Sequence, residues 1–230
     1  MKIAIMGAMP EEITPLLEQM ERYETVDYAQ NRYYLAEWKG MELVLAYSKI
    51  GKVFAALTAT TMIEKFGAKQ LLFSGVAGAI DPKLKIGDLI VATKLCQHDL
   101  DITAFGHPYG YVPEGSVYVE SDENLRKIAY EVAKARGIVL HEGIIATGDQ
   151  FVADEKRKIW IAETFGAAAL EMEGGSVAVV CDSLKVPFFV LRAISDAADM
   201  DAGFDFDTFL ESSAKESAAF VLAMLDKMRS

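Results

Sequence analysis

The chain has 230 residues, 52% of them hydrophobic and 25% charged, which suits one soluble α/β domain spanning residues 1–230. A chain of this size buries roughly 70% of its unfolded surface, so it needs no disulfide staple. Cys96 and Cys181 lack CxxC or metal-site spacing and fit a reducing compartment. The net charge of −11 disfavours nucleic-acid backbones and anionic membranes as partners, because both call for a surplus of Lys and Arg.

The opening apolar run is broken by Pro10, Glu11 and Glu12 before a signal segment is complete. No stretch approaches the roughly 20 apolar residues of a membrane span, so the cytoplasm is the expected location. Lys2–Gly7 reads as a buried strand, and Pro10 opens a helix with two acids in its first turn. Arg32–Trp38 and Met41–Tyr47 read as a hairpin about Lys39-Gly40. Val53–Phe66 has helical spacing and stops at Gly67. Gln70–Phe73 is a strand running into the glycine-rich Ser74–Gly78, followed by a strand at Asp88–Leu95.

Phe105–Gly115 mixes Gly, Pro and Tyr and reads as an ordered functional loop. A helix is expected over Ser121–Arg136, with Ser121 and Asp122 as cap candidates and Gly137 as the stop. Then come a strand at Gly143–Ala146, a helix at Asp154–Phe165, a strand at Ala167–Leu170 and a helix at Gly175–Leu184. A buried strand at Pro187–Ile194 and a long closing helix at Asp207–Met228 complete the chain. Strands and helices alternate over short connections, which predicts a largely parallel or mixed sheet with helices on both faces. Ligands of such sheets bind outside the carboxyl ends of strands.

Candidate chemistry stands at those ends. Arg192-Ala-Ile-Ser-Asp196 follows an apolar strand, where an Arg and an Asp are costly unless paired or set in a cleft. The motif is either a structural ion pair or a general acid, Asp196, supported by Ser195. In Leu170-Glu-Met-Glu-Gly174 the two acids could share a strand face, either as a plain acidic exit or with one carboxylate on a sugar. Gly7-Ala-Met-Pro-Glu-Glu12 has no dinucleotide fingerprint, and its acids suit a helix start in any case. Ser74-Gly-Val-Ala-Gly78 lacks the Walker lysine; it is a tight turn or a close approach of backbone to a ligand. His98, His107 and His141 have no metal-ligand spacing, so no metal and no cofactor are expected. His98-Asp99 has no nucleophile partner in the sequence.

Seven segments in order resemble a known family: the Gly7–Glu12 motif, Ser48-Lys-Ile-Gly-Lys52, Ser74–Gly78, Asp101-Ile-Thr-Ala-Phe-Gly106, Thr147-Gly-Asp-Gln-Phe151, Glu171-Met-Glu-Gly174 and Ser195-Asp196. They look like 5′-methylthioadenosine/S-adenosylhomocysteine nucleosidase, and Gln97-His-Asp99 and Gly148–Val152 are most similar to the branch that also cleaves 6-amino-6-deoxyfutalosine in menaquinone synthesis. The resemblance implies a three-layer α/β fold, nucleoside phosphorylase-like, with a central mixed twisted sheet flanked by helices. It implies a homodimer that releases adenine from 5′-methylthioadenosine, S-adenosylhomocysteine, 5′-deoxyadenosine and 6-amino-6-deoxyfutalosine, serving methionine salvage, S-adenosylhomocysteine removal and menaquinone synthesis. Asp196 would protonate adenine toward N7 and Glu12 would activate water, with Ser195 and Arg192 alongside. Glu173 with Met172 would hold the ribose, Phe151 would stack on adenine and the Val152 backbone would read its edge. Val76, Ala77 and Gly78 would line the substrate site. Met9, Ile50, Ile102, Phe105, Pro113 and Phe206 would surround the 5′ group, the Phe105–Pro113 segment reaching into the neighbouring subunit. His107 departs from the aromatic residue that many members carry.

Cleaving an N-riboside needs a protonated acid at the departing base and an ionised carboxylate to deprotonate water, the two-carboxyl logic of sugar hydrolysis. A phosphorylase would instead need Arg, Lys or a nest of amides for phosphate. In the phosphorylases this family resembles, arginines occupy the first strand–helix loop and the position before the glycine-rich segment; here those places offer Glu11, Glu12 and Phe73-Ser74, which favours water. The alternatives are a phosphate-dependent nucleoside phosphorylase and a non-catalytic nucleoside-binding protein. Three separated carboxylates, Glu12, Glu173 and Asp196, speak against the latter.

Overall fold

The computed structural model describes residues 1–199 and 201–229. Ten strands among them make a mixed sheet: β1 (Ile3–Gly7), β2 (Tyr23–Tyr28), β3 (Asn31–Trp38), β4 (Met41–Tyr47), β5 (Gln70–Ala79), β6 (Leu89–Gln97), β7 (Val119–Glu120), β8 (Leu140–Thr147), β9 (Ala167–Glu171) and β10 (Phe188–Asp196). The helices are α1 (Pro10–Leu17), α2 (Lys52–Glu64), α3 (Glu123–Arg136), α4 (Glu155–Phe165), α5 (Gly174–Leu184) and α6 (Ala202–Arg229). The strand order is β10-β6-β8-β9-β5-β1-β4-β3-β2, with β7 on β6, and β10 pairs β5 as well. Five strands therefore close on themselves while β1, β4, β3 and β2 fan out from β5.

The central strands are continuous apolar runs because both of their faces are covered. Their alternation sorts each run in two. Ala4, Met6, Leu71, Phe73, Phe188 and Val190 pack with Ala55, Ala59 and Met62 of α2 and Val177, Ala178 and Cys181 of α5. Ile3, Ile5, Leu72, Phe189 and Leu191 pack with Leu16 of α1, Leu125 and Ala129 of α3, and Val221 and Met224 of α6. A third group joins Ile161 and Phe165 of α4 to Val152 and Leu170 beside the strand exits. The sheet between α2 and α5 on one face and α1, α3 and α6 on the other makes the three layers the sequence resemblance implies.

Helix ends follow side-chain chemistry. Of the two cap candidates before α3, Asp122 takes the role, accepting from the Leu125 N–H at 2.9 Å, and Gly137 closes the helix in the left-handed conformation. Ser121 instead donates to the Ala92 carbonyl. Asp154 caps α4 through the Arg157 N–H at 2.8 Å.

The structure departs from the sequence reading in a few places. The glycine-rich Ser74–Gly78 is no turn; β5 runs straight through it to Ala79. Strand β2 has a mostly exposed, polar surface on the sheet edge and carries no apolar period. The closing helix begins at Ala202, five residues before the expected Asp207, so Phe206 lies within it. The turn before it is built by Asp199, whose carboxylate accepts from the Asp201 N–H at 3.0 Å and whose carbonyl accepts from the Ala202 N–H at 3.0 Å.

Candidate active site

The site arises where β5 changes neighbours. On one side β5 pairs β10 from Leu71 to Gly78. On the other it pairs β1 only as far as Phe73, and then β9 from Gly78. Residues 74–77 have no strand partner on that side, which frees the Val76 N–H. A cavity of about 260 Å³ opens at this gap, lined by Ala8, Met9, Glu12, Ile50, Val76–Gly78, Gln150–Val152, Leu170–Glu173, Ser195, Asp196 and Phe206. Apart from Phe206 on α6, each of these segments lies at the carboxyl end of a strand, just after it, or in the first turn of the next helix.

Glu12 is buried at the first turn of α1. Its Oε1 accepts from the Val76 N–H at 3.0 Å, and its Oε2 accepts from the Ala8 and Met9 N–H groups at 2.5 and 3.1 Å. Burial raises its pKa, against the opposing pull of the Arg192 guanidinium and the three amide donors. Gly75 is the residue that makes room: a Cβ there would stand 2.5 Å from Glu12 Oε1.

Asp196 ends β10. The β10–β5 register slips between Ile194 and Asp196, so Ser195 is an extra residue in the strand and the following carboxyl is turned into the cavity. The Ser195 hydroxyl donates to Asp196 Oδ2 at 2.9 Å, and the Ala198 N–H donates to Oδ1 at 2.9 Å. Burial is the main cause raising the Asp196 pKa; the two hydrogen bonds act against it, and Asp205 and Asp199 add smaller like-charge contributions.

Glu171 and Glu173 do not share a strand face. Glu171 is the last residue of β9, whereas Glu173 stands outside the strand as the cap residue of α5. Glu171 turns inward to Arg192 Nη2 at 2.7 Å and accepts from the Thr147 hydroxyl at 2.5 Å and the Gly174 N–H at 2.7 Å. Arg192 is 1% exposed, stacks 4.0 Å from the Phe73 ring and does not line the cavity. It sits beneath the floor, so of the two readings of the Arg192–Asp196 motif each describes one end: a buried ion pair at Arg192, a cavity carboxyl at Asp196. Removing either partner of such a pair costs about 3–5 kcal/mol, because a buried charge is left uncompensated.

Glu173 Oε1 accepts from the Gly51 N–H at 2.7 Å. Burial first, and then the Glu171 carboxylate, push Glu173 up to about 8. A raised pKa means the folded chain prefers the protonated form. The ionised form therefore costs stability, increasingly as pH rises from the unfolded value through about 8, and by a constant amount above it. Glu173→Gln, which mimics the neutral acid, is expected to raise the melting temperature of the ligand-free protein. The gain should be small near pH 5 and level off above pH 8. Equal gains across that range in calorimetry would contradict the assignment.

Ile102, Phe105 and Pro113 do not line the cavity within one chain. Phe105 is 80% exposed, as the last residue of a 3-10 turn at Thr103–Phe105. His98 is buried, with its pKa pushed down to about 4 by burial and by Arg157; neither it nor Asp99 lines the cavity. Ala8, Gln150 and Leu170 line the cavity without having been singled out individually, although they lie inside the Gly7–Glu12, Thr147–Phe151 and Leu170–Gly174 motifs. Among the described residues no group of three or more His, Cys, Asp or Glu side chains is placed to hold a metal ion.

A family model described as "Phosphorylase superfamily" matches residues 2–226. The aminodeoxyfutalosine nucleosidase of Campylobacter jejuni is 61% identical over 99% of this chain and 100% of that protein. The 5′-methylthioadenosine/S-adenosylhomocysteine nucleosidase of a Geobacillus species is 37% identical over the full length of both. The solved structure of a Helicobacter pylori futalosine hydrolase superposes with a TM-score of 0.97 at 50% identity, over 98% of this chain and 97% of that one. The chain belongs to the phosphorylase superfamily, within its 5′-methylthioadenosine/S-adenosylhomocysteine nucleosidase family. In this family setting, the convergence of Glu12, Glu173 and Asp196 on one cavity is the feature that bears on chemistry.

Proposed function

We propose that this chain is an N-ribosyl hydrolase that releases adenine from 5′-substituted adenine nucleosides, 6-amino-6-deoxyfutalosine and 5′-methylthioadenosine among them, with S-adenosylhomocysteine and 5′-deoxyadenosine as further substrates. One observation carries the choice of water over phosphate. The Ala8 and Met9 amides just before α1 and the Val76 amide of β5 make a nest of the kind that captures an anion, and the Glu12 carboxylate already fills it. The cavity lining adds Glu171, Glu173 and Asp196 and includes no Lys or Arg. Inorganic phosphate would find those donors occupied and no cation in the lining to hold it.

In this reading Asp196 delivers its proton to the departing adenine while Glu12 takes one from the attacking water. Each transfer contributes typically about 10²–10⁴-fold. Glu173, with Met172, holds the ribose hydroxyls, and Phe151 stacks on the base. Met9, Ile50 and Phe206 face the 5′ substituent, completed by Ile102, Phe105 and Pro113 of a second subunit. Support for that homodimer comes from apolar side chains left exposed around the site: Val53, Phe54 and Leu57 on α2, with Phe105. The reading places the protein in the cytoplasm, in methionine salvage and in menaquinone synthesis; no helix among the described residues is long and apolar enough to cross a membrane.

Adenine release from 5′-methylthioadenosine should proceed at the same rate with and without phosphate and yield the free sugar. A phosphate requirement with a ribose 1-phosphate product would assign the chain to the phosphorylases instead. Tight nucleoside binding without adenine release over hours would make it a binding protein.

A further inference from the structure

Three segments outside the cavity close a ring of polar contacts. Asp99 follows the end of β6, Asp149 follows the end of β8, and Lys52 is the first residue of α2. The Lys52 ammonium meets Asp99 Oδ1 at 2.7 Å. The other oxygen of Asp99 accepts from the Asp149 N–H at 2.8 Å. The Asp149 carboxylate in turn accepts from the Lys52 N–H at 2.8 Å. Lys52 also donates to Gln97 Oε1 at 3.2 Å. The Lys52 and Asp99 side chains are only 18% and 16% exposed, which shields the ring from the screening that weakens ordinary surface pairs.

Each side of this ring leads into the cavity. Asp149 begins the stretch whose next three residues, Gln150, Phe151 and Val152, line it. Lys52 follows Gly51, whose N–H holds Glu173 Oε1 at 2.7 Å. Gly51 has φ +102°, and a Cβ there would stand 3.1 Å from Asp149 Oδ1, so the approach of the two loops requires glycine. Neither Lys52 nor Asp99 touches the cavity.

We propose that Lys52 and Asp99 are positioning residues that lock the base-binding loop, Asp149–Val152, to the ribose-binding carboxylate Glu173, so that base and sugar are bound as one unit. The proposal rests on the nucleosidase reading given above. The ring holds both halves of the nucleoside site in register without contacting the reacting atoms, and its loss should act on binding rather than on the bond-breaking step.

Free adenine is the discriminating probe, since it carries no ribose. Lys52→Met and Asp99→Asn are each expected to weaken adenine binding about tenfold, in the range of networked contacts. The KM for 5′-methylthioadenosine should rise by a similar factor with kcat nearly unchanged. Lys52→Arg, which keeps the charge and the backbone N–H, should restore most of the affinity. Glu173→Ala, which removes the acceptor of the Gly51 N–H, should also weaken free adenine, and that added loss should vanish in an Asp99→Asn background. Unchanged adenine affinity in Lys52→Met and Asp99→Asn, or a fall in kcat at constant KM, would overturn the proposal. A lowered fraction of folded protein would reduce kcat alone and so count with the latter. Failure of the unaltered protein to release adenine at all would instead sink the nucleosidase reading, before any variant is compared.

Discussion

Asp196→Asn should lower turnover of 5′-methylthioadenosine by about 10²–10⁴-fold while the protein stays folded. Asparagine fits the same space. Its carbonyl can still accept from the Ala198 N–H, and the Ser195 hydroxyl can rotate to accept from the new amide. What is lost is a proton to give. Adenine leaves poorly as an anion, so the loss falls on the bond-breaking step and shows in kcat. A synthetic 5′-methylthioriboside whose aryl leaving group departs without protonation should be cleaved almost as fast by the variant as by the parent. The pH profile supplies a second readout. Burial raises the Asp196 pKa, so the active protonated form persists above the ordinary carboxylate range and disappears as pH rises further. The basic limb of kcat/KM should therefore be missing from the residual activity of Asp196→Asn. Near-normal turnover of the adenine nucleoside, or an equal loss on the aryl riboside, would remove Asp196 from the role of acid.

The strand exits were legible in the sequence for a definite reason. A strand covered on both faces is a continuous apolar run, and an acid directly after it has no cheap place to go. That logic reaches Asp196 and the acid pairs Glu11–Glu12 and Glu171/Glu173; the resemblance singled out Glu12 and Glu173 within them, and the structure gathers Glu12, Glu173 and Asp196 on one cavity. It does not reach partners distant in the chain. The Arg192–Glu171 ion pair joins β10 to β9, and nothing local distinguishes an Arg that faces the cavity from one that lies under its floor. Ser195 looked like a hydrogen-bonding neighbour of Asp196. It is that, and it is also the extra residue of a bulge that sets where Asp196 points, which depends on the register against β5. The glycines of Ser74–Gly78 suggested a turn because they lack side chains; they are small because carboxylates crowd them, Glu12 over Gly75 and Asp196 over Gly78. Edge strand β2 was invisible because its exposed faces impose no apolar period.

Glu12→Gln carries the other large effect, and here structure and chemistry are lost together. The Glu12 carboxylate accepts from the backbone at both oxygens, Val76 on one side and Ala8 and Met9 on the other. An ionised carboxylate satisfies all three donors; glutamine must turn its own NH₂ group against at least one of them. An unsatisfied buried donor costs about 1–3 kcal/mol, so a lower melting temperature should accompany the defect. Turnover should fall by about 10²–10⁴-fold, because an amide cannot take the proton of water. Protonating Glu12 at low pH abolishes the same function. Since burial raises its pKa, the acid limb of the rate profile should lie above the ordinary glutamate range and be absent from the variant. Glu12→Ala separates the two losses. It leaves three amides free, two just before α1 and that of Val76 on β5, a nest suited to a small anion, and added formate should restore part of the activity by supplying the missing carboxylate. Rescue in Glu12→Ala, with none in Glu12→Gln where the side chain blocks the nest, is the expected pattern. Turnover near that of the parent in Glu12→Gln would mean that water is activated elsewhere.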